Sequence, residues 1–349
     1  MLGNERPYRE VLRHLQDEGL LDPARMEDIR TLLGRLEAPP DQPWYVSTLA
    51  GAGAWVAAFC FIGFLFTARI IGEWEAAQLL PWGIAFLLAA NTLRHWARVL
   101  FLVQLALAAS VVGHVLVLGG VQELTDSTGA MAAAAVLLCA VQYPLNRDPL
   151  HRFLSALTAA VLLVVWVFDA KLHVPLYGLI LLEAVGVAFL FTWSRTPPSL
   201  RPLAYALAAA IALTHVVWVS GLELGAPEWP ARPHGAAWLL WIIHWSAHGR
   251  SLLRHEPLLV ATAGTALLAL VAPPGLFAAL GLLVLGHGLA DRLVLGIGVI
   301  FVPAYLVQYY YELELPLDRK AYLLMASGLI LLAVRWYLGR RPWARREAS

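Results

Sequence analysis

Hydrophobic residues along the chain gather into twelve blocks, separated by short segments that hold nearly all the Arg, Asp, Glu and Pro residues. A helix needs about 20 residues to cross about 30 Å of hydrocarbon, and most of the blocks approach that length. They also lack the polar face that a core helix of a soluble protein presents to water. The pattern therefore predicts an all-α, polytopic helical membrane protein with about twelve transmembrane helices, at residues 45–66, 79–93, 99–118, 129–143, 152–168, 175–192, 202–219, 235–247, 257–272, 275–290, 293–311 and 321–338.

Some of these blocks depart from a uniform apolar span. The second, fourth and eighth are short for a full crossing, and the pattern leaves open whether the eighth crosses at all. Glycines in the tenth block predict close packing between the tenth and eleventh helices. In the eleventh block, Gly296, Gly298 and Pro303 loosen the helix. A proline at that depth kinks a helix and frees a carbonyl, so Pro303 is a candidate hinge.

Residues 1–43 differ from the rest of the chain because they are polar and amphipathic. Pro7–Glu18 is typical of a short helix, and the pair Asp22-Pro23 is typical of the start of a second one. The apolar stripe of the second helix needs cover from its neighbour, from the membrane domain, from the bilayer surface or from a partner. We therefore expect a cytoplasmic helical hairpin and Pro-rich linker over 1–43, a transmembrane domain over 44–339 and a basic cytoplasmic tail over 340–349.

Loop charges alternate along the chain. If the N-terminus is inside, the inner loops carry the basic sequences RHWAR (94–98), PLNRDPLHR (144–152), WSRTPPSLRP (193–202) and AHGRSLLRHE (247–256), and the tail is rich in Arg. The outer loops carry most of the acids. Because basic loops stay cytoplasmic, the alternation predicts that both termini are cytoplasmic.

Composition agrees with a membrane location. The chain is 60% hydrophobic and 14% charged, whereas soluble domains carry about 25% charged residues. The net charge of +1 says little about partners, because the charges are expected on both sides of a membrane. The sequence has no basic run and no interleaving of basic and aromatic residues, so we expect no nucleic-acid partner. The lipid bilayer is the expected partner.

Glu183 is the most unusual residue of the apolar blocks. It lies eight residues beyond Pro175, which is about 12 Å into its helix. An ionised carboxylate at that depth is costly, so the side chain should face the bundle, find a partner or be protonated. It can serve as a proton relay or bind a cationic or hydroxylated group. Alternatively, it is a neutral carboxyl that hydrogen-bonds a neighbouring helix.

Other intramembrane polar residues divide by their predicted depth. His114 and His215 are expected near the outer ends of the third and seventh spans, and His244 and His287 near the inner ends of the eighth and tenth. Gln308 and Asp169 are further polar residues near the outer side. Asn91, Gln142 and Asp291 are further polar residues near the inner side. With Glu183 between the two groups they could form a polar pathway. Alternatively, each histidine is an interfacial or packing residue.

Catalytic motifs are absent from the sequence. It contains no H-E-x-x-H, no G-x-S-x-G and no phosphate-binding loop, so it indicates no enzyme class and no cofactor. His287 and Asp291 lie one helical turn apart, but no second pair accompanies them, and we expect no metal site. The pair Asp291-Arg292 is more simply a helix-end ion pair or a topology signal.

Two segments of the chain resemble a known family. Pro43-Trp44-Tyr45-Val46 followed by LAGAGAWVAAFCFIGFLF (49–66), and the run from Leu285 to Leu338, resemble a bacterial multi-pass family catalogued as the domain of unknown function numbered 4401. Genes of that family often neighbour those of GDYXXLXY-domain membrane proteins. The resemblance implies a bacterial inner-membrane location and a second multi-pass membrane protein as partner, and it supplies no site residues.

Two functions lead at this point, and an integral membrane enzyme ranks third because no nucleophile or metal constellation appears. The first is a transporter or flippase-like protein for an unidentified substrate, favoured by the span number, by Glu183 and by Pro303. The second is a membrane scaffold or sensor subunit that acts with a partner membrane protein through the N-terminal hairpin.

Overall fold

Each predicted apolar block forms one α-helix in the computed structural model, which describes residues 44–69, 75–97, 99–193, 196–220, 231–247, 256–312 and 317–340. Every regular element in these ranges is helical, so the all-α polytopic prediction is confirmed. The helices are α1 (Trp44–Thr67), α2 (Ala76–Trp96), α3 (Leu100–Thr125), α4 (Thr128–Leu145), α5 (Pro149–Asp169), α6 (His173–Thr192), α7 (Arg201–Ser220), α8 (Ala231–Ser246), α9 (Glu256–Val271), α10 (Pro274–Gly288), α11 (Arg292–Glu312) and α12 (Leu317–Arg340). The predicted hairpin at 1–43 and the tail beyond residue 340 lie outside the described residues.

Among the described residues, eight helices are long and apolar enough to cross a membrane, namely α2 to α7, α11 and α12. The helices α9 and α10 are apolar but have only 16 and 15 residues, and α8 has 16. Large apolar side chains are exposed along the outside of the bundle, among them Leu88, Val174, Leu270 and Ile300. A surface of this kind is stable in hydrocarbon and not in water. The protein is therefore an integral membrane protein.

Polar residues next to the apolar blocks start several helices. Asp148 Oδ1 accepts hydrogen bonds from the backbone N–H groups of Leu150 and His151 at 2.9 and 3.2 Å, and Pro149 takes the first helical position. These groups satisfy amides that have no partner within the helix. Consequently α5 begins at Pro149, three residues before the predicted span, and His151 belongs to the helix.

The largest core cluster is built by α5, α6, α7, α8, α10 and α11. Most residues of α10 are buried, so this helix lies inside the bundle. The predicted packing of α10 on α11 is confirmed, since a Cβ on Gly286 would lie 2.5 Å from the backbone nitrogen of Leu295. Gly275 likewise allows the ring of Tyr305 to lie against α10.

The N-terminal helices form a second packed group. The helices α2 and α3 approach closely at two glycines, because a Cβ on Gly83 would lie 2.8 Å from the backbone nitrogen of Val117 and one on Gly113 would lie 2.9 Å from the Gly83 carbonyl oxygen. Small residues at a crossing allow backbones to approach in this way. The helix α1 packs on α3, and α4 packs on α5, which in turn packs on α7 of the larger core.

Candidate functional site

Glu183 lies in the middle of α6 and is buried, with 4% of its surface exposed. Thr214 of α7 donates a hydrogen bond from Oγ1 to Glu183 Oε1 at 3.0 Å. The other carboxyl oxygen, Oε2, has no hydrogen-bond partner among the described residues. Glu183 thus faces the bundle and has a partner on another helix, and one of its two carboxyl oxygens has none among the described residues.

Aromatic and backbone contacts pack α8 and α11 against the two helices that carry Glu183 and Thr214. Trp238 of α8 donates from Nε1 to the carbonyl oxygen of Ala184 at 2.8 Å. His215 follows Thr214 in α7 and is buried, but its Nδ1 bonds the carbonyl oxygen of Ile211 at 2.6 Å, one turn earlier in the same helix. The ring of Phe301 lies 6.3 Å from the His215 ring, between centroids. His215 therefore follows the donor to Glu183 in α7, and its own hydrogen bond stays within that helix.

A second buried polar group lies between α3 and α5. The rings of His114 and His151 stand 5.4 Å apart between centroids, and Ser110 joins them. His114 Nδ1 bonds the Ser110 carbonyl oxygen at 2.8 Å, and His151 Nδ1 bonds the Ser110 hydroxyl at 3.0 Å. Neither Nε2 atom has a hydrogen-bond partner in the part of the chain that the structure describes.

This arrangement corrects the predicted depth of His114. The helix α3 continues to Thr125, well beyond the predicted end at residue 118, so His114 is not near the end of its helix. It lies instead beside His151, the third residue of α5. Sequence reasoning missed His151 because the predicted span began one residue after it. The pair Asp148-Pro149 was the signal that could have placed His151 inside the helix.

Polar contacts continue from the two histidines toward the helix ends that carry the basic loops. Asn91 of α2 donates to Gln142 Oε1 of α4 at 2.9 Å, so two residues predicted on the same side are brought together. Arg94 Nε lies 3.6 Å from Asp148 Oδ2. Arg152 Nε donates to the carbonyl oxygens of Tyr143 and Asn146, both at 2.8 Å. These contacts tie α2, α4 and α5 together at one end of the bundle.

A groove of about 720 Å³ opens between the starts of α5, α7 and α11. Its wall is mostly apolar, and Arg201 and Tyr205 are its polar residues. Tyr205 donates to Asp291 Oδ2 at 2.6 Å, while Asp291 Oδ1 accepts from the backbone nitrogens of Leu293 and Val294. Asp291 therefore caps α11 and bonds Tyr205 of α7, while the predicted ion pair with Arg292 or topology signal stays a prediction.

The other predicted polar residues and Pro303 differ in their exposure and contacts. His244 and His287 are exposed on α8 and α10, and Gln308 is half-buried on α11. Asp169 accepts a hydrogen bond from Thr128 at 2.8 Å. The helix α11 continues through Pro303, whose side chain is exposed, and the hinge stays a prediction. No three His, Cys, Asp or Glu residues within the described ranges could hold a metal ion.

Comparison with known proteins gives one match. The sequence model of a family described as "Domain of unknown function (DUF4401)" matches residues 43–341, which covers all twelve helices up to the end of the last. No curated protein and no solved structure matches the chain significantly. The match carries no site residue, so the chemistry must be argued from the geometry.

Proposed function

The chain belongs to the DUF4401 family, whose function is unknown, and we propose that it is a proton-coupled membrane transporter in which Glu183 carries the coupling proton. The observation that carries the proposal is the state of the Glu183 carboxyl, which is buried with one oxygen bonded to Thr214 and the other unpartnered among the described residues. A buried acceptor without a partner destabilises a protein by about 1–3 kcal/mol. A carboxyl with only a structural role would lower the stability of the protein without any benefit. A carboxyl that binds and releases a proton, in contrast, needs an oxygen that is free to take the proton.

The groove beside Arg201 supports a route toward this carboxyl. Tyr205 lines the groove and Thr214 bonds Glu183, and both residues are on α7. Nine residues of helix separate them, which is about 13 Å along the axis. A substrate that enters the groove thus needs to advance only a few helical turns to reach the buried carboxyl.

The topology is part of the proposal. All twelve helices cross the inner membrane of a bacterium, and both termini are cytoplasmic; the alternating loop charges support this orientation. Single cysteines introduced into a cysteine-free chain test it. An impermeant maleimide should label Ala170→Cys on intact cells and label Ser199→Cys only after permeabilisation. Labelling of both on intact cells would overturn the orientation.

Flux measurements test the role of Glu183. The full chain is reconstituted in phosphatidylethanolamine–phosphatidylglycerol vesicles on a solid-supported membrane, and a set of small organic ions and amphiphiles is applied under a pH gradient. We expect a substrate-dependent proton current that Glu183→Gln abolishes, because the amide cannot exchange a proton. Asp169→Asn is the matched control and should keep the current, since its carboxyl lies at a helix end. A current that survives in Glu183→Gln refutes the coupling role.

A scaffold that acts with a membrane partner is the second candidate. It is supported by α12, where only 6% of the span Asp318–Gly339 is buried within the protein. Tyr322, Leu329 and Trp336 are among the large exposed side chains of this helix. A chain without residues 1–40 tests whether the N-terminal segment docks the partner. Unchanged co-purification of the same membrane protein would exclude docking through that segment.

A further inference from the structure

Two adjoining cavities lie between α3 and α5, on the side of the His114–His151 pair. The first has a volume of about 120 Å³, and both histidines line it. The second is a cleft of about 510 Å³ whose wall is almost wholly apolar and includes Met131 and Leu213. Val115, Leu118 and Thr158 line both, so the two cavities are direct neighbours. Together they fall within the range of about 300–1,000 Å³ that is usual for small-molecule sites.

The cleft faces the hydrocarbon around the protein. Val115 and Leu213 are 55% and 44% exposed on the outside of the bundle, and both line the cleft. An apolar molecule dissolved in the bilayer can therefore enter sideways. At the other end of the path, His151 is 2% exposed. Its Nε2 has no partner among the described residues.

The hydrogen bonds of His114 and His151 determine which chemical group could bind beside them. The Ser110 carbonyl can only accept, so His114 Nδ1 carries a proton and Nε2 of the neutral ring is an acceptor. When the Ser110 hydroxyl donates to His151 Nδ1, the proton of that ring lies on Nε2. In that arrangement the two buried Nε2 atoms, which have no partner among the described residues, are one acceptor and one donor, and both rings line the cavity. Lys, Arg, Asp and Glu are absent from the described residues that line it.

We propose that this cleft binds an uncharged amphiphile, with a hydroxyl headgroup at His114 and His151 and its hydrocarbon chain along α3, α5 and α7. A hydroxyl both donates and accepts, which matches the two free ring nitrogens. A charged headgroup would be buried without a counter-ion in the cavity wall, which is strongly unfavourable. The proposal concerns binding alone and does not depend on transport or on Glu183.

Photolabelling of the full chain in phosphatidylcholine nanodiscs tests the headgroup. The probe is hexadecan-1-ol that carries a diazirine on its chain, and the matched probes are its methyl ether and the corresponding fatty acid. We expect the alcohol to label residues around Val115, Leu157 and Leu213, in competition with unlabelled hexadecan-1-ol. The ether cannot donate to His114, so its apparent affinity should be about threefold to tenfold lower. Equal labelling by alcohol and ether, or strongest labelling by the acid, would overturn the proposal.

Substitutions at His151 and Val115 test whether these residues bind the headgroup and line the entrance of the cleft. His151→Phe keeps a ring of similar size and should lower labelling by the alcohol to the level of the ether. His244→Phe, an exposed histidine on α8, should leave labelling unchanged. Val115→Trp fills the mouth of the cleft from the lipid side and should abolish labelling by both probes, whether or not His151→Phe folds. Unchanged labelling of Val115→Trp would place the bound chain elsewhere and refute the site.

Discussion

Replacing Gly281 with alanine tests how closely α10 packs on Trp238 of α8, whose indole bonds the residue after Glu183. Gly281 of α10 faces the indole of Trp238, and a Cβ at this position would lie 2.2 Å from Trp238 Cζ3. Carbon atoms in contact are about 3.5–4.0 Å apart, so the indole must shift by more than about 1 Å. The same indole donates from Nε1 to the Ala184 carbonyl oxygen at 2.8 Å. A shift of that size breaks the bond.

The expected loss of stability follows from three contributions. Overpacking a close-packed core destabilises it by about 1–3 kcal/mol. Loss of the indole hydrogen bond adds about 0.5–1.5 kcal/mol. Alanine is a better helix former than glycine, so the substitution also raises the free energy of unfolding by up to about 1 kcal/mol. We therefore expect Gly281→Ala to lower the free energy of unfolding by about 2 kcal/mol.

Unfolding in mixed micelles, titrated with dodecyl sulfate and followed by circular dichroism, measures this change. Gly296→Ala is the control, because a Cβ on Gly296 of α11 meets no atom within 4 Å. It should be neutral or slightly stabilising. In a Trp238→Phe background the smaller ring makes room, so Gly281→Ala should cost much less there. Equal stability of the two alanine variants, or the full loss in the Trp238→Phe background, would refute the contact as the cause.

Two further hydrogen bonds between helices are testable by the same unfolding assay. Tyr205→Phe removes the donor to Asp291 and should destabilise the protein by about 1.5–3 kcal/mol, because the acceptor is a carboxylate. Tyr322→Phe, on the exposed face of α12, should change little, and equal effects of the two would contradict the bond. Asn91→Leu and Gln142→Leu should together cost about 0.5–1.5 kcal/mol less than the sum of the single changes. Strictly additive losses would show that the two side chains do not pair.

Sequence alone could predict the helices because their cause is local. Each apolar block carries enough hydrophobicity for one helix, so the number and order of the helices follow from reading along the chain. Helix ends were less certain, since caps extend them. Asp148 starts α5 before its apolar block, and α3 continues beyond its block to Thr125. Those extensions moved His114 away from a helix end and His151 into a helix.

Partners of the polar residues could not be predicted, because they come from distant parts of the sequence. Glu183 was identified by its depth, whereas its donor Thr214 is 31 residues away and lies in the next long helix. Asp291 suggested an ion pair with its neighbour, yet its side-chain partner is Tyr205, 86 residues away. No periodicity within one helix encodes such a contact. It depends on which faces of two helices meet.

The two buried polar groups lie on helices that contact each other, since α5 carries His151, α7 carries Thr214 and α5 packs on α7. A continuous polar pathway through both would couple them energetically. Within the described residues, however, the groups share no hydrogen-bond partner, because Glu183 bonds Thr214 and His151 bonds Ser110. We therefore expect the losses of unfolding free energy in Glu183→Gln and His151→Phe to add within about 0.5 kcal/mol in the double variant. A larger coupling would mean that the carboxyl and the histidines belong to one network, and the amphiphile site would then be part of the transport route.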